Sequence, residues 1–179
     1  IKMISKVLGS FQVKGNQHIV SDPCYPIECA TDDDLSWILT PAKSGEWKAT
    51  IFYEEDKTVA KLMACHIEAK QDLEWIEIGK EIAVDSAQAG IFDASIYGRD
   101  EMITYEVQNV YDIDMDEEGL KYYVACCDKV ATDDQGGVLI GGTVSMSGLG
   151  DGYYPVSVQY NEKDEIVAVL LDFYGEDEE

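Results

Sequence analysis

Trp47-Lys48-Ala49-Thr50-Ile51-Phe52-Tyr53-Glu54-Glu55-Asp56-Lys57, followed by the apolar run 58–68, decides the fold class. Trp47, Ala49, Ile51 and Tyr53 alternate with Lys48, Thr50, Phe52 and Glu54, the period of a half-buried strand. Residues 58–68 are apolar on both faces, as in a more central strand, and Glu54-Glu55-Asp56-Lys57 reads as the hairpin turn between them. Outward from this hairpin the same signals recur. Residues 73–78 and 81–85 read as strands split at Gly79-Lys80 by a hairpin or a bulge. Residues 136–145 read as a glycine-interrupted strand. On 155–160, with Tyr154 before it, Tyr154, Val156, Val158 and Tyr160 face one way, while Pro155 suits an edge or first position. The nearly all-apolar 165–173 reads as a central strand buried on both faces. The spacing predicts a helix over 99–110, through Met102, Tyr105, Val107 and Val110. Residues 122–129 read as a strand or a short buried helix, and 112–119 as an acidic loop. The expected class is α+β, mainly antiparallel β: a sandwich-like or strongly twisted sheet with one or two short helices. One domain is expected over 1–175, with 176–179 as an acidic tail.

Composition narrows the partners. The 179 residues include 36 acidic and 13 basic side chains, a formal charge of −23, and one arginine, Arg99. Phosphate contacts need Lys and Arg, so direct nucleic-acid binding and anionic membrane surfaces are not expected. Basic proteins and metal cations are the partners that the charge favours; alternatively it serves only solubility. No apolar run approaches the ~20 residues of a membrane span. No secretion signal is visible and the five cysteines are odd in number, so reduced thiols and a cytoplasmic location are expected.

Four segments depart from the strand-and-turn pattern. These are Ser21-Asp22-Pro23-Cys24-Tyr25, Val84-Asp85-Ser86-Ala87-Gln88-Ala89-Gly90-Ile91-Phe92-Asp93, Tyr122-Tyr123-Val124-Ala125-Cys126-Cys127-Asp128, and the glycine loop Ser145-Met146-Ser147-Gly148-Leu149-Gly150-Asp151-Gly152-Tyr153-Tyr154. Glycine alternation of this kind marks backbone angles costly for other residues, or close approach of another group. The candidate ligand-binding residues are Asp22, Asp85, Ser86, Gln88, Asp93, Asp128, Ser145, Ser147, Gly150, Asp151 and Gly152. Gathered in one place, their oxygens could hold Mg²⁺ or Ca²⁺ or a small polar ligand. Scattered, the same residues are turn chemistry, with side chains capping local N–H groups.

Together the four segments resemble the bacterial and phage family catalogued as domain of unknown function 4241, over roughly residues 19–173. The chain differs from the family pattern at Ala87, where glycine is usual, and at Leu149, where an aromatic is common. Ala87 suggests that this position needs no positive φ. The resemblance implies a bacterial or phage origin and one domain, and no activity.

Several sharper motifs are missing. The loop is G-x-G-x-G followed by a strand, whereas a dinucleotide fingerprint opens a helix. There is no phosphate-binding P-loop and no G-x-S-x-G elbow. Asp112, Asp114 and Asp116 start like a calcium loop, but Glu117 and Tyr123 stand where Gly and Glu are required. Cys24 and Cys29 lack zinc-site spacing, and no metal site is assigned. His18 and His66 are the two histidines, and His66 and Cys65 on one strand point to opposite faces. The expected function is an acidic cytoplasmic binding module for a protein or small polar ligand, an inhibitor in phage–host conflict being one such role. The alternative is a hydrolase or other enzyme using the aspartates, with or without a divalent metal.

Overall fold

A computed structural model describes residues 3–30, 35–108 and 118–174. In chain order its elements are β1 (Ile4–Val13), β2 (His18–Ser21), α1 (Ile27–Ala30), β3 (Trp37–Leu39), β4 (Gly45–Tyr53), β5 (Val59–His66), β6 (Ile76–Val84) and β7 (Gln88–Asp93). A 3-10 turn (Asp100–Met102), α2 (Leu120–Val130), β8 (Gly136–Leu139), β9 (Gly142–Met146), β10 (Gly152–Tyr160) and β11 (Ile166–Asp172) follow. The strands form a six-stranded sheet, β1-β4-β5-β11-β10-β6, and a five-stranded sheet, β3-β2-β7-β9-β8. Every strand pairing in them is antiparallel.

The alternation first read in the 47–53 stretch sets the layers. Trp47, Ala49 and Ile51 are fully buried and pack with Leu62, Val156, Val169 and Leu171 of the same sheet, and with Val20, Ala89 and Ile91 of the other. Successive side chains on a strand point to opposite faces, so Ile19 and Phe92 look the other way. They join Tyr97, Tyr122, Ala125 and Cys126 in a second core, where α2 covers the outer face of the five-stranded sheet. The order is therefore sheet, sheet, helix.

Several readings are corrected. The 99–110 stretch makes only the short 3-10 turn. Ile103 is extended, with φ −94° and ψ 106°, and buried in the second core. Its β-branched neighbours, Thr104 and Val107, also disfavour helix, while Asn109 and Val110 lie outside the described residues. Asp100 instead caps α2, accepting from the N–H groups of Gly119 and Tyr122 at 2.9 Å each. Residues 122–129 take the helical alternative. The stretch 73–85 holds one strand, Ile76–Val84, bulged near Gly79 (φ +86°) opposite a register break at Pro155/Ser157. Pro155 stands inside β10, which is paired on both sides, and its missing N–H falls at that break. Residues 136–145 form a hairpin turning at Ile140-Gly141 rather than one strand. The 165–173 run is central as expected, between β5 and β10. The loop residues 112–117 and the tail lie outside the described residues. Among the described residues, no helix is long and apolar enough to cross a membrane.

Candidate functional site

β2 ends at Ser21, and Asp22 follows with no solvent exposure. Its carboxylate accepts four hydrogen bonds. Oδ1 takes Cys24 N at 2.8 Å and Ser86 Oγ at 2.6 Å; Oδ2 takes Asp85 N at 2.8 Å and Ser86 N at 2.6 Å. A buried carboxylate is tolerated when donors fill its lone pairs in this way. The Tyr97 hydroxyl donates to the Tyr25 carbonyl at 2.6 Å and lies 3.3 Å from that of Asp22. Asp22 thus sits at the centre of the junction between the β2 exit and the β6–β7 turn.

The glycine loop closes against the same turn. Ser147 N donates to the Ala87 carbonyl at 3.1 Å, and Ala87 N donates to Asp151 Oδ1 at 3.0 Å. Ser147 Oγ and Tyr154 OH both donate to the Gly150 carbonyl at 2.7 Å. Gly148 has φ +69°, and a Cβ there would stand 2.6 Å from the Val59 carbonyl oxygen. Ala87 corrects the reading of the sequence: its φ is +58°, so the turn holds a left-handed residue although alanine occupies it.

The remaining candidates separate. Gln88 is buried, its Nε2 lies 3.5 Å from Cys127 Sγ, and its Oε1 has no partner among the described residues. Ser145 Oγ donates to the Met146 carbonyl at 2.9 Å. Asp128 accepts from Gln108 N at 2.8 Å. Asp93 belongs to the far end of the β2–β7 pair, because His18 pairs with Asp93 whereas Ser21 pairs with Gly90. Asp22 stands four residues beyond His18, about 13 Å along an extended strand. There the fully buried Asp93 carboxylate accepts from Lys14 N, Gly15 N, Ser95 N and Ser95 Oγ. Asp22, Asp85, Ser86, Ser147, Gly150, Asp151 and Gly152 therefore share one end of the sandwich, with Gln88 and Cys127 beneath, and Asp93 does not.

Burial at this junction favours the neutral forms of the Cys24 thiol and the Tyr25 phenol. Burial, then the charge of Asp22, pushes the Cys24 thiol up. Burial, then Cys24, Asp22 and Asp85, pushes the Tyr25 hydroxyl up to about 12. Burial also raises Tyr123 and Cys126, both of which feel the Asp22 charge, and, away from this junction, Cys65 on β5. A thiol held neutral is a poor nucleophile. The histidines lie elsewhere. His66 Nδ1 accepts from Glu68 N at 3.0 Å, which leaves Nε2–H to donate to the Ser44 carbonyl at 2.9 Å. His18 is wholly buried against Trp47, ring centroids 4.4 Å apart. Among the described residues no three His, Cys, Asp or Glu are grouped to hold a metal ion.

What this end presents to solvent was missed in the sequence. Leu149, at the loop tip between two glycines, is 77% exposed, and Tyr153 is 69% exposed. Asp85 and Asp151 are exposed beside them, and Tyr153 and Asp85 both act on the Tyr25 hydroxyl. The available signal was Leu149 itself, an apolar residue in a loop whose glycines leave it no interior to occupy. No family model, curated protein or solved structure matches this chain.

Proposed function

We propose that this chain is a non-catalytic binding module whose glycine-loop end engages a basic protein. The exposure of Leu149 and Tyr153 on a loop held by Ser147, Tyr154 and Asp151 carries this reading. A braced loop loses little conformational freedom on binding, and exposed apolar anchors suit a protein interface. Asp85, Asp151 and the net charge of −23 favour a cationic partner. The enzyme alternative is weakened because both fully buried candidate carboxylates, Asp22 and Asp93, are saturated by hydrogen bonds. The resemblance to the bacterial and phage family supports a setting in which a host protein is inhibited by being bound.

The test is capture from bacterial lysate by the wild-type chain and by a Leu149→Asp/Tyr153→Ala variant. A protein retained at low salt, released as salt rises, and bound at least ~10-fold more weakly by the variant is expected. Recovery of nothing by the wild type, or equal recovery by the variant, rejects the reading.

A further inference from the structure

Gln88 opens β7 beneath the junction and is 3% exposed. Its Nε2 donates toward Cys127 Sγ at 3.5 Å, while Oε1, on the same amide carbon, has no partner among the described residues. A buried acceptor left unpaired is costly and calls for an explanation. The group that this amide faces is a thiol, whose S–H is only a weak donor.

Cys127 lies on α2 and is partly exposed, so a small solute has access to it. Tyr123, one turn earlier on the helix, feels both Cys127 and Ser86. The Gln88 N–H favours a thiolate over a thiol, because a donor binds an anionic acceptor more strongly. The other described cysteines are less suited to oxidation. Cys126 is fully buried. Burial and then the Asp22 charge hold Cys24 as a thiol, and burial does the same for Cys65.

We infer that Cys127 is a site of reversible oxidation by hydroperoxides, with Gln88 as the acceptor that holds the product. The sulfur attacks one oxygen of hydrogen peroxide. An S–O bond forms, the O–O bond breaks, and the thiol proton leaves with the departing hydroxide as water. Sulfur loses two electrons, the peroxide gains them, and the product is a sulfenic acid, Cys–SOH. Its hydroxyl is a stronger donor than S–H, carried on the sulfur that already faces the Gln88 amide, and Oε1 is the free acceptor beside it. Oxidation thus supplies the hydrogen bond that the reduced chain lacks. This inference is independent of the glycine-loop reading, because the oxidation is read at the sulfur whether or not that loop engages a partner.

The test treats the full chain with hydrogen peroxide in the presence of dimedone, which traps sulfenic acids, and locates the adduct by peptide mass spectrometry. Cys127 should carry at least ~10-fold more adduct than any other of the five cysteines, the margin of one hydrogen bond to a charged group. In urea that preference should vanish. With dimedone left out, a dithiol reductant should restore the Cys127 thiol. Gln88→Leu and Gln88→Met, both close to glutamine in volume, should each lower the Cys127 adduct by a similar ~10-fold, with circular dichroism confirming that the variant is folded. Adduct found first on another cysteine, a preference that survives urea, or a folded Gln88 variant labelled like wild type overturns the inference. Where neither variant folds, the wild-type comparison with and without urea decides it.

Discussion

Ser86 donates to Asp22 twice, from its backbone N to Oδ2 and from its Oγ to Oδ1, each at 2.6 Å. Asp85 N and Cys24 N complete the set. This carboxylate joins two turns 63 residues apart in sequence. Asp22→Ala would leave four donors without an acceptor, and a loss of about 3–5 kcal/mol in urea unfolding at neutral pH is expected. The exposed Asp85 changed to Ala should stay within ~0.5 kcal/mol of wild type. Equal losses for the two variants would contradict a bracing role specific to Asp22.

The glycines of the loop should differ in cost. Gly148→Ala meets both a left-handed φ and the Val59 carbonyl, whereas at Gly150, φ +106°, an added Cβ meets nothing within 4 Å. Thermal unfolding should show Gly148→Ala losing about 3 kcal/mol or more and Gly150→Ala about 1–2 kcal/mol. Ala87→Gly, at φ +58°, should be stabilising by about 0.5–1 kcal/mol through relief of the left-handed strain. A destabilising Ala87→Gly would show that the turn does not store that strain.

His18 makes stability depend on acidity. Burial lowers its pKa from 6.5 to about 4, against smaller opposing effects of the Phe92 carbonyl and Asp93. A depressed folded-state pKa means that the unfolded chain takes up a proton the folded chain refuses. The stabilisation is complete above pH 6.5, declines as pH falls, and is lost at about pH 4, a change of order 3 kcal/mol. Urea midpoints measured from about pH 7 to about pH 4 should fall more steeply for wild type than for His18→Gln. Parallel profiles would refute a buried neutral imidazole.

The sandwich was legible where pattern and pairing agree. The alternation from Trp47 to Tyr53 survives because every inward residue meets an inward partner, Ala49 with Ala64 and Ile51 with Leu62. The failed helix at 99–110 shows the reverse, since Ile103 is buried by α2 and Phe92, which no local window contains. The meeting of the glycine loop with 85–87 could be read from small and polar residues on both sides. Asp93 resembles Asp22 locally, each carboxylate accepting from the N–H two residues on, but its place was fixed by the β2–β7 register. Ala87 misled because propensity is a preference that tertiary bonds override: Asp151 and Ser147 hold its N–H and C=O. The exposure of Tyr153 follows from which face of β10 looks outward, a consequence of pairing with β6 and β11 and not of composition.

The position of β11 bears on the order in which the chain acquires its structure. β4 and β5 are a hairpin that can close as soon as it is made, and β6 can find β10 only about 70 residues later. Neither pair becomes one sheet until β11 slots between β5 and β10. Until then both present bare backbone to other chains, the situation in which strands pair wrongly. During synthesis the chain is exposed to that hazard until β11 is made, and the rate at which β11 zips the two pairs together, more than the strength of the finished core, would govern the yield.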